Sequence, residues 1–468
     1  MSMVFEREIA NALANEPLQR ATWRATGKFK GNRISAVAAE ALPDYQELRT
    51  AANALKRHTI NHLDWYLEQF EREVDSRGGK VHWCRDGVEA ADVVLGIARR
   101  RGARLIVKSK SMTTEEIHLN ERLSHHGLES VETDLGEYII QLLDQRPFHI
   151  IAPALNLTRR DVAKVFQDKL GVPWDAEIPS QTQTARNVLR EKFLAADIGI
   201  SGANFLVADS GAVVLVENEG NARLTTTAPR VHIAVAGIEK VIPRAQDLAV
   251  FLKLLARSAT GQPMSVYTSF LAGPRRAGEV DGPEEFHVIL LDGGRTKLLE
   301  DEEKRQSLYC IRCGACLNTC PVYRRIGGHS YPWVYSGPIG AILTPQFHGP
   351  ALEPGLPFAS SLCGACGEVC PVKIDIPKVL LRLRQEVKES EKQQGDGQVE
   401  RASFRAFAYA AARPPVWRLA MRAARAVQPR TPKRAMALAA PLRAWMSERE
   451  LPELAPKSFR ELWKERGR

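Results

Sequence analysis

Seven of the eight cysteines in this 468-residue chain fall between Cys310 and Cys370, and Cys84 stands alone. A cluster of that density is a local device and not a disulfide framework spanning the chain. The first run reads Cys310-x2-Cys313-x2-Cys316-x3-Cys320-Pro321 and the second Cys363-x2-Cys366-x3-Cys370-Pro371, the one internal repeat in the sequence. The first run has the spacing of bacterial-type 4Fe-4S ferredoxins. Three thiolates two residues apart wrap three iron corners, and the fourth, followed by proline, serves the other cluster. The alternatives are a zinc site, which favours paired C-x2-C units and needs four ligands per ion, and buried inert thiols.

That crossover rule assigns Cys310, Cys313, Cys316 and Cys370 to one 4Fe-4S cluster, and Cys320, Cys363 and Cys366 to the other. Aligning the runs puts Ser360 where the second run's first cysteine would stand. The fourth iron of the second cluster is then bound by Ser360, by water or by a partner group, or it is lost to leave a 3Fe-4S species; a serine that simply caps its loop is the plainer reading. The motif predicts electron transfer but not its direction, because cluster potentials span roughly −700 to +450 mV. A 42-residue insert, 321–362, separates the runs and carries Gly327-Gly328-His329, Tyr331, Trp333 and Tyr335. It covers the clusters, docks a partner, or is a packed loop.

The rest of the chain is 44% hydrophobic overall, which excludes disorder throughout. The N-terminus, MSMVFEREIANAL, lacks the apolar core and small-residue cleavage site of a secretory signal. No run approaches the ~18 apolar residues of a membrane span. A cytoplasmic protein with reduced thiols is therefore expected. The net charge of +10 resides in residues 378–468, which hold 21 Lys and Arg against 10 Asp and Glu.

Four segments are expected: amphipathic helices over 1–75, an α/β domain over 76–298, a helical ferredoxin-type two-cluster module over 299–390, and a basic helical region over 391–468, reached through the solvated linker KQQGDGQ. Within the second segment, strands and helices alternate, as in an α/β sheet covered by helices. VHWC and ARLIVKS read as strands and ADVVLGIARRRG as a helix. TEEIHLNERLSHHG reads as one helix capped by Thr113 or Thr114, and FHIIAPA as a strand. ANFLVADSGAVVLVENEG reads as two strands turning at Asp209-Ser210-Gly211. VHIAVAGI and FHVILLDGG read as strands on either side of a break, SFLAGPRRAGEVDGPEEF.

Glu217-Asn218-Glu219-Gly220-Asn221 follows a strand, where α/β sheets place binding groups. Glu217 and Glu219 are the candidates for a general base, against a turn of ordinary solvated charges. Lys108, Ser109 and Lys110, with Ser111 and Thr113-Thr114 at a helix start, make a candidate anion site, against surface lysines beside a cap. His118, His125 and His126 lack convincing acidic partners for a metal, and Cys84 reads as a buried small hydrophobe. Gly199-x-x-Gly202 is too weak for a nucleotide fingerprint, and no G-x-G-x-x-G or G-x4-G-K-S/T motif is present. In the basic region, arginines interleaved with alanines and no aromatic platform argue against nucleic acid and for an acidic partner subunit or a membrane surface.

With these motifs in this order, the chain resembles the lactate utilization protein B family over nearly its whole length. GANFLVADSGAVVLVENEGNARL (202–224), CIRCGACLNTCPVYRRIGGHSY, SSLCGACGEVCPVKIDIP and PKSFRELW carry the resemblance. It implies an iron–sulfur electron-transfer subunit that works with two companion subunits in oxidising L-lactate to pyruvate. It also implies an α/β domain related to the sugar-phosphate isomerase and coenzyme A transferase fold, and it makes the missing eighth ligand at Ser360 a family trait. The competing expectations are an oxidoreductase with its own catalysis in the α/β domain, and a cluster-containing nucleic-acid-binding protein.

Overall fold

The Val- and Ile-rich runs of the α/β segment become strands of a six-stranded sheet: β1 (Lys80–Cys84), β2 (Leu105–Lys108), β3 (Glu129–Glu132), β4 (Ile198–Ser201), β7 (Val231–Gly237) and β10 (Glu285–Leu291). Their order is β1-β10-β7-β4-β2-β3, and every pairing is parallel. Parallel strands need crossovers and are covered on both faces, so they read as continuous apolar runs. All seven residues of β7 are accordingly buried. The structure describes residues 3–349, 353–393, 398–428, 446 and 452–467.

A second sheet accompanies the first. Strands β5 (Phe205–Val207), β6 (Ala212–Glu217), β8 (Val241–Ile242) and β9 (Tyr267–Leu271) run in the order β8-β5-β6-β9. The expected turn at Asp209-Ser210-Gly211 is therefore a true antiparallel hairpin, but it lies outside the main sheet. The expected break after residue 268 also contains most of β9.

Two further expectations fail. FHIIAPA is not a strand: residues 148–154 form bends and turns, with Phe148, His149 and Ile150 buried. A short apolar run looks the same whether it lines a sheet or fills a gap. Here the Phe148 carbonyl accepts the Tyr323 hydroxyl at 2.8 Å, and a Cβ on Gly328 would stand 1.7 Å from that same oxygen. Gly327-Gly328 is thus what lets the cysteine segment approach this loop. TEEIHLNERLSHHG forms two short helices, Met112–Glu116 and Leu119–His125, broken at His118 in the left-handed region at φ 51°. The cap is Ser111, whose hydroxyl accepts the Thr114 N–H at 3.3 Å, and neither threonine plays that role.

Residues Met1–Val387 form one compact unit and Lys388–Arg468 another. In the first, four N-terminal helices (Met3–Ala14, Glu16–Ala36, Tyr45–Asn61, Leu63–Ser76) share a continuous apolar core with both sheets and the cysteine segment. The insert between the cysteine runs is packed: its helix Gly337–His348 is buried from Gly337 to Pro345. In the second unit, helices Gln398–Ala411, Pro414–Val427 and Phe459–Arg466 are described, the last opened by a Ser458–Glu461 capping box. Pro429, Pro432 and Pro441 lie outside the described residues.

Candidate functional site

The two cysteine runs adopt one local fold twice. Arg312 and Leu362, each directly before the run's C-x2-C pair, take positive φ values of 60° and 54°. Gly314 and Gly364 follow at 73° and 82° and start the five-residue helices Ala315–Thr319 and Ala365–Val369. Cys320 and Cys370 then leave the helices with extended backbones. The Cys310 sulfur accepts the Arg312 N–H at 3.4 Å, that of Cys320 the Tyr323 N–H at 3.5 Å, and that of Cys370 the Ile374 N–H at 3.4 Å.

Cys310, Cys313, Cys316 and Cys370 line one small hole, walled by Ile150, Ile311, Ile339, Val372, Ile374 and Ile376. The electrostatic neighbours of Cys320 include Cys363, and those of Cys366 include both Cys320 and Cys363. Cys363 is exposed, whereas Cys313, Cys320, Cys366 and Cys370 are buried. Burial pushes the thiol of Cys366 up to about 12 and that of Cys370 to about 11. A thiolate in such surroundings needs a positive partner, and iron supplies one. The donor set, the N–H groups aimed at sulfur and the apolar wall fit iron–sulfur clusters.

The N-terminal helices fasten the second run. Arg49 donates through Nε to the Cys370 carbonyl at 3.0 Å and through Nη2 to those of Cys370 and Glu368 at 2.8 and 2.7 Å. Asn53 reaches the Val372 carbonyl at 2.8 Å. Arg384 binds the carbonyls of Pro357 and Ser360, both at 2.9 Å. Behind the first run, Ile151 donates its N–H to His149 Nδ1 at 3.2 Å. That bond leaves Nε2–H to donate to Asn318 Oδ1 at 3.1 Å. Burial holds this imidazole neutral, down at about 3.

A cavity of about 290 Å³ opens where the chain leaves β2, β4 and β6, the carboxyl ends at which α/β sheets place ligands. Its wall includes Ser109, Lys110, Ser111, Asn204, Glu217, Glu219, Lys240, Arg312 and Tyr335. Arg312 also lines the cysteine hole, as does Ile150, so Arg312 is the charged residue that borders both spaces.

Behind Arg312 lies a buried charge network. Glu239 accepts from Arg312 Nη2 at 3.1 Å, from Arg295 Nε and, through its carbonyl, from Lys56. Arg295 reaches Glu116 at 2.9 Å, and Glu116 also accepts the Tyr335 hydroxyl. Burial alone would raise the Glu239 carboxyl, but Arg295, Arg312 and Lys240 outweigh it and hold the group at about 2.

The sequence candidates separate sharply. Glu217 is a helix cap: its carboxylate accepts the Ala222 and Arg223 N–H groups at 2.8 and 2.9 Å. Glu219 is less committed, accepting the Leu135 N–H at 3.3 Å, and burial and then Asp134 push its carboxyl up to about 7. Lys108 is no anion ligand. It is buried and paired with Glu132 at 2.6 Å and Glu115 at 3.1 Å, while Ser109, Lys110, Ser111 and Thr113 do line the cavity. His118, His125 and His126 belong to no metal-binding group among the described residues. Cys84 is buried at the end of β1. Lys240, Glu239 and Arg295 escaped the sequence analysis, whereas Arg312 carried a signal, since it sits inside the first cysteine run.

Three family models match in succession: the LUD domain over residues 67–291, the 4Fe-4S dicluster domain over 306–374, and the C-terminal domain of lactate utilisation protein B over 382–468. Lactate utilization protein B of Bacillus velezensis is 41% identical, covering 99% of this chain and 97% of its own. That of Bacillus subtilis strain 168 is also 41% identical, over 99% and 96%. A protein of Escherichia coli K12 named as uncharacterized electron transport protein YkgF is 41% identical over 98% and 96%. Among solved structures, a duf162 family protein from Deinococcus radiodurans aligns with a TM-score of 0.27 at 15% identity, over 49% of this chain and 98% of its own. By its identity to these full-length relatives, the chain belongs to the lactate utilization protein B family.

Proposed function

We propose that the chain is the electron-transfer subunit of a system that oxidises L-lactate to pyruvate. In this reading Cys310, Cys313, Cys316 and Cys370 hold one 4Fe-4S cluster, and Cys320, Cys363 and Cys366 hold a second whose fourth corner is open or served by Ser360. Such clusters, when bound, take up and pass on single electrons. Lactate gives up two electrons and two protons in becoming pyruvate. In this reading the electrons leave at a site completed by partner proteins, pass singly through the two clusters and go on to an acceptor, while both protons pass to bases at that site. Glu217 or Glu219 of this chain is the base in the second reading below. The observation that carries this reading is Arg312, which borders both the small-molecule cavity and the cysteine hole. The exposed Cys363 supports an exit for electrons at the second cluster.

The finer expectations go with it. They are four segments bounded as in the sequence, an α/β part kin to the sugar-phosphate isomerase and coenzyme A transferase fold, a cytoplasmic location, and companion subunits or a membrane surface meeting the basic residues 378–468. Among the described residues no helix is long and apolar enough to cross a membrane.

The cavity also favours a second reading, in which this chain oxidises lactate unaided. Anaerobic reconstitution tests both. Lactate-dependent bleaching of the cluster absorbance that requires companion subunits supports the first, and bleaching by the isolated chain supports the second. Tight, salt-sensitive DNA binding without lactate reactivity sinks both.

A further inference from the structure

Lys240 lines the cavity at 8% exposure and, among the described residues, makes no hydrogen bond and no close ion pair. An ammonium this buried, with Glu239 near it but no hydrogen-bond acceptor, is costly, and its position on a cavity wall points to an anion that completes it. Arg312, also 8% exposed, stands beside it with two of its nitrogens, Nε and Nη1, lacking acceptors. Its third, Nη2, is held by Glu239, and the guanidinium lies over the Tyr335 ring at 4.6 Å. Arg312 is therefore fixed in place before any ligand arrives.

The same cavity carries Asp134, Glu217 and Glu219. Lys240 feels chiefly Arg312, Glu239 and Cys310, whereas Glu219 feels Asp134 and Lys110. The space thus has a cationic end beside the first cysteine run and, beyond it, an acidic end where Asp134, Glu217 and Glu219 outnumber Lys110. A phosphate dianion would meet repulsion at the acidic end. A small monocarboxylate with a hydroxyl or carbonyl on the adjacent carbon can satisfy both ends, and about 290 Å³ lies just below the ~300–1,000 Å³ of sites that enclose larger ligands.

We propose that Lys240, with Arg312 beside it, is the carboxylate anchor of a small-acid site in this chain, set against the loop that bears Cys310 and Cys313. The proposal rests on the preceding functional reading for the identity of the acid, and on the geometry alone for the site.

Calorimetric titration of the full chain, cluster-loaded and under anaerobic conditions, tests it, with L-lactate, pyruvate, acetate and inorganic phosphate as separate probes. Saturable binding of lactate or pyruvate is expected, weakened about tenfold or more by Lys240→Met and kept near wild type by Lys240→Arg and by Lys164→Met on an exposed helix. Cluster absorbance and the melting curve report that each variant is folded. Unchanged binding in Lys240→Met overturns the anchor and leaves the lactate reading intact. Lys240-dependent binding of acetate alone supports the anchor and overturns lactate as its ligand. Tighter binding of phosphate, or no binding of any probe, overturns the site, while companion-dependent bleaching would still uphold the electron-transfer reading.

Discussion

Ser360 stands in its loop where Cys310 stands in the other. The Ser360 hydroxyl accepts the Leu362 N–H at 3.2 Å, just as the Cys310 sulfur accepts the Arg312 N–H at 3.4 Å. The backbone of a ligand-bearing loop is therefore complete on both sides, and only the donor atom differs. Ser360→Cys is expected to fold without adjustment and to supply the eighth thiolate. EPR of the oxidised protein reads the outcome: any 3Fe-4S signal of the wild type should vanish in the variant, and its iron content should equal or exceed that of the wild type. Persistence of the signal would place the side chain out of reach.

Arg49 spends its guanidinium on the carbonyls around Cys370. Arg49→Ala leaves these acceptors without a charged donor and should cost about 2–3 kcal/mol. Denaturant unfolding of the cluster-free protein measures that cost. Iron release to a chelator should also quicken, and from the cluster that includes Cys370 first. Cys84→Ser, by contrast, should leave the iron content unchanged.

Glu219 predicts a pH dependence. Its carboxyl is raised to about 7 in the folded chain from an unfolded value of about 4.3. The folded state then holds the proton more tightly, so this group's contribution is fully present below the unfolded value and is lost as pH rises through about 7. Glu219→Gln should flatten the stability curve over that window. If Glu219 accepts the proton, lactate-dependent cluster reduction should rise through the same pH range in the wild type and fall about 100-fold or more in the variant.

Lys108 is 1% exposed and neutralises Glu132, beside which Glu137 is also buried. Lys108→Met leaves uncompensated carboxylates in the interior and should destabilise the fold by about 3–5 kcal/mol. Urea unfolding tests this, and a loss below about 1 kcal/mol would mean that the acids are protonated in the native state.

The sequence made some of this legible and hid the rest for physical reasons. The cysteine spacing is a local code, so the paired runs and the missing thiolate at Ser360 could be read without a fold. The parallel strands were legible because burial on both faces leaves mostly apolar runs such as Val231–Gly237, in which His232 is the one ionisable residue. FHIIAPA carries the same kind of run and became a loop, since what decides its shape is the Gly327-Gly328 backbone far along the chain. The network of Lys56, Glu116, Glu239 and Arg295 around Arg312 left no trace, because each of these four looks like an ordinary surface charge until the fold brings them together. Lys240 was invisible for the same reason, and Glu217, which looked like a base, proved to be a cap.

The bond between Arg49 and the Cys370 carbonyl spans 321 positions of sequence. During synthesis the arginine emerges early, and its acceptor only after most of the chain has left the ribosome. The four sulfurs around the apolar hole therefore cannot be gathered until residue 370 has emerged. On the ligand set proposed above, iron and sulfide complete that site only on a chain that has passed residue 370, and shorter products would carry the clamp without anything to hold.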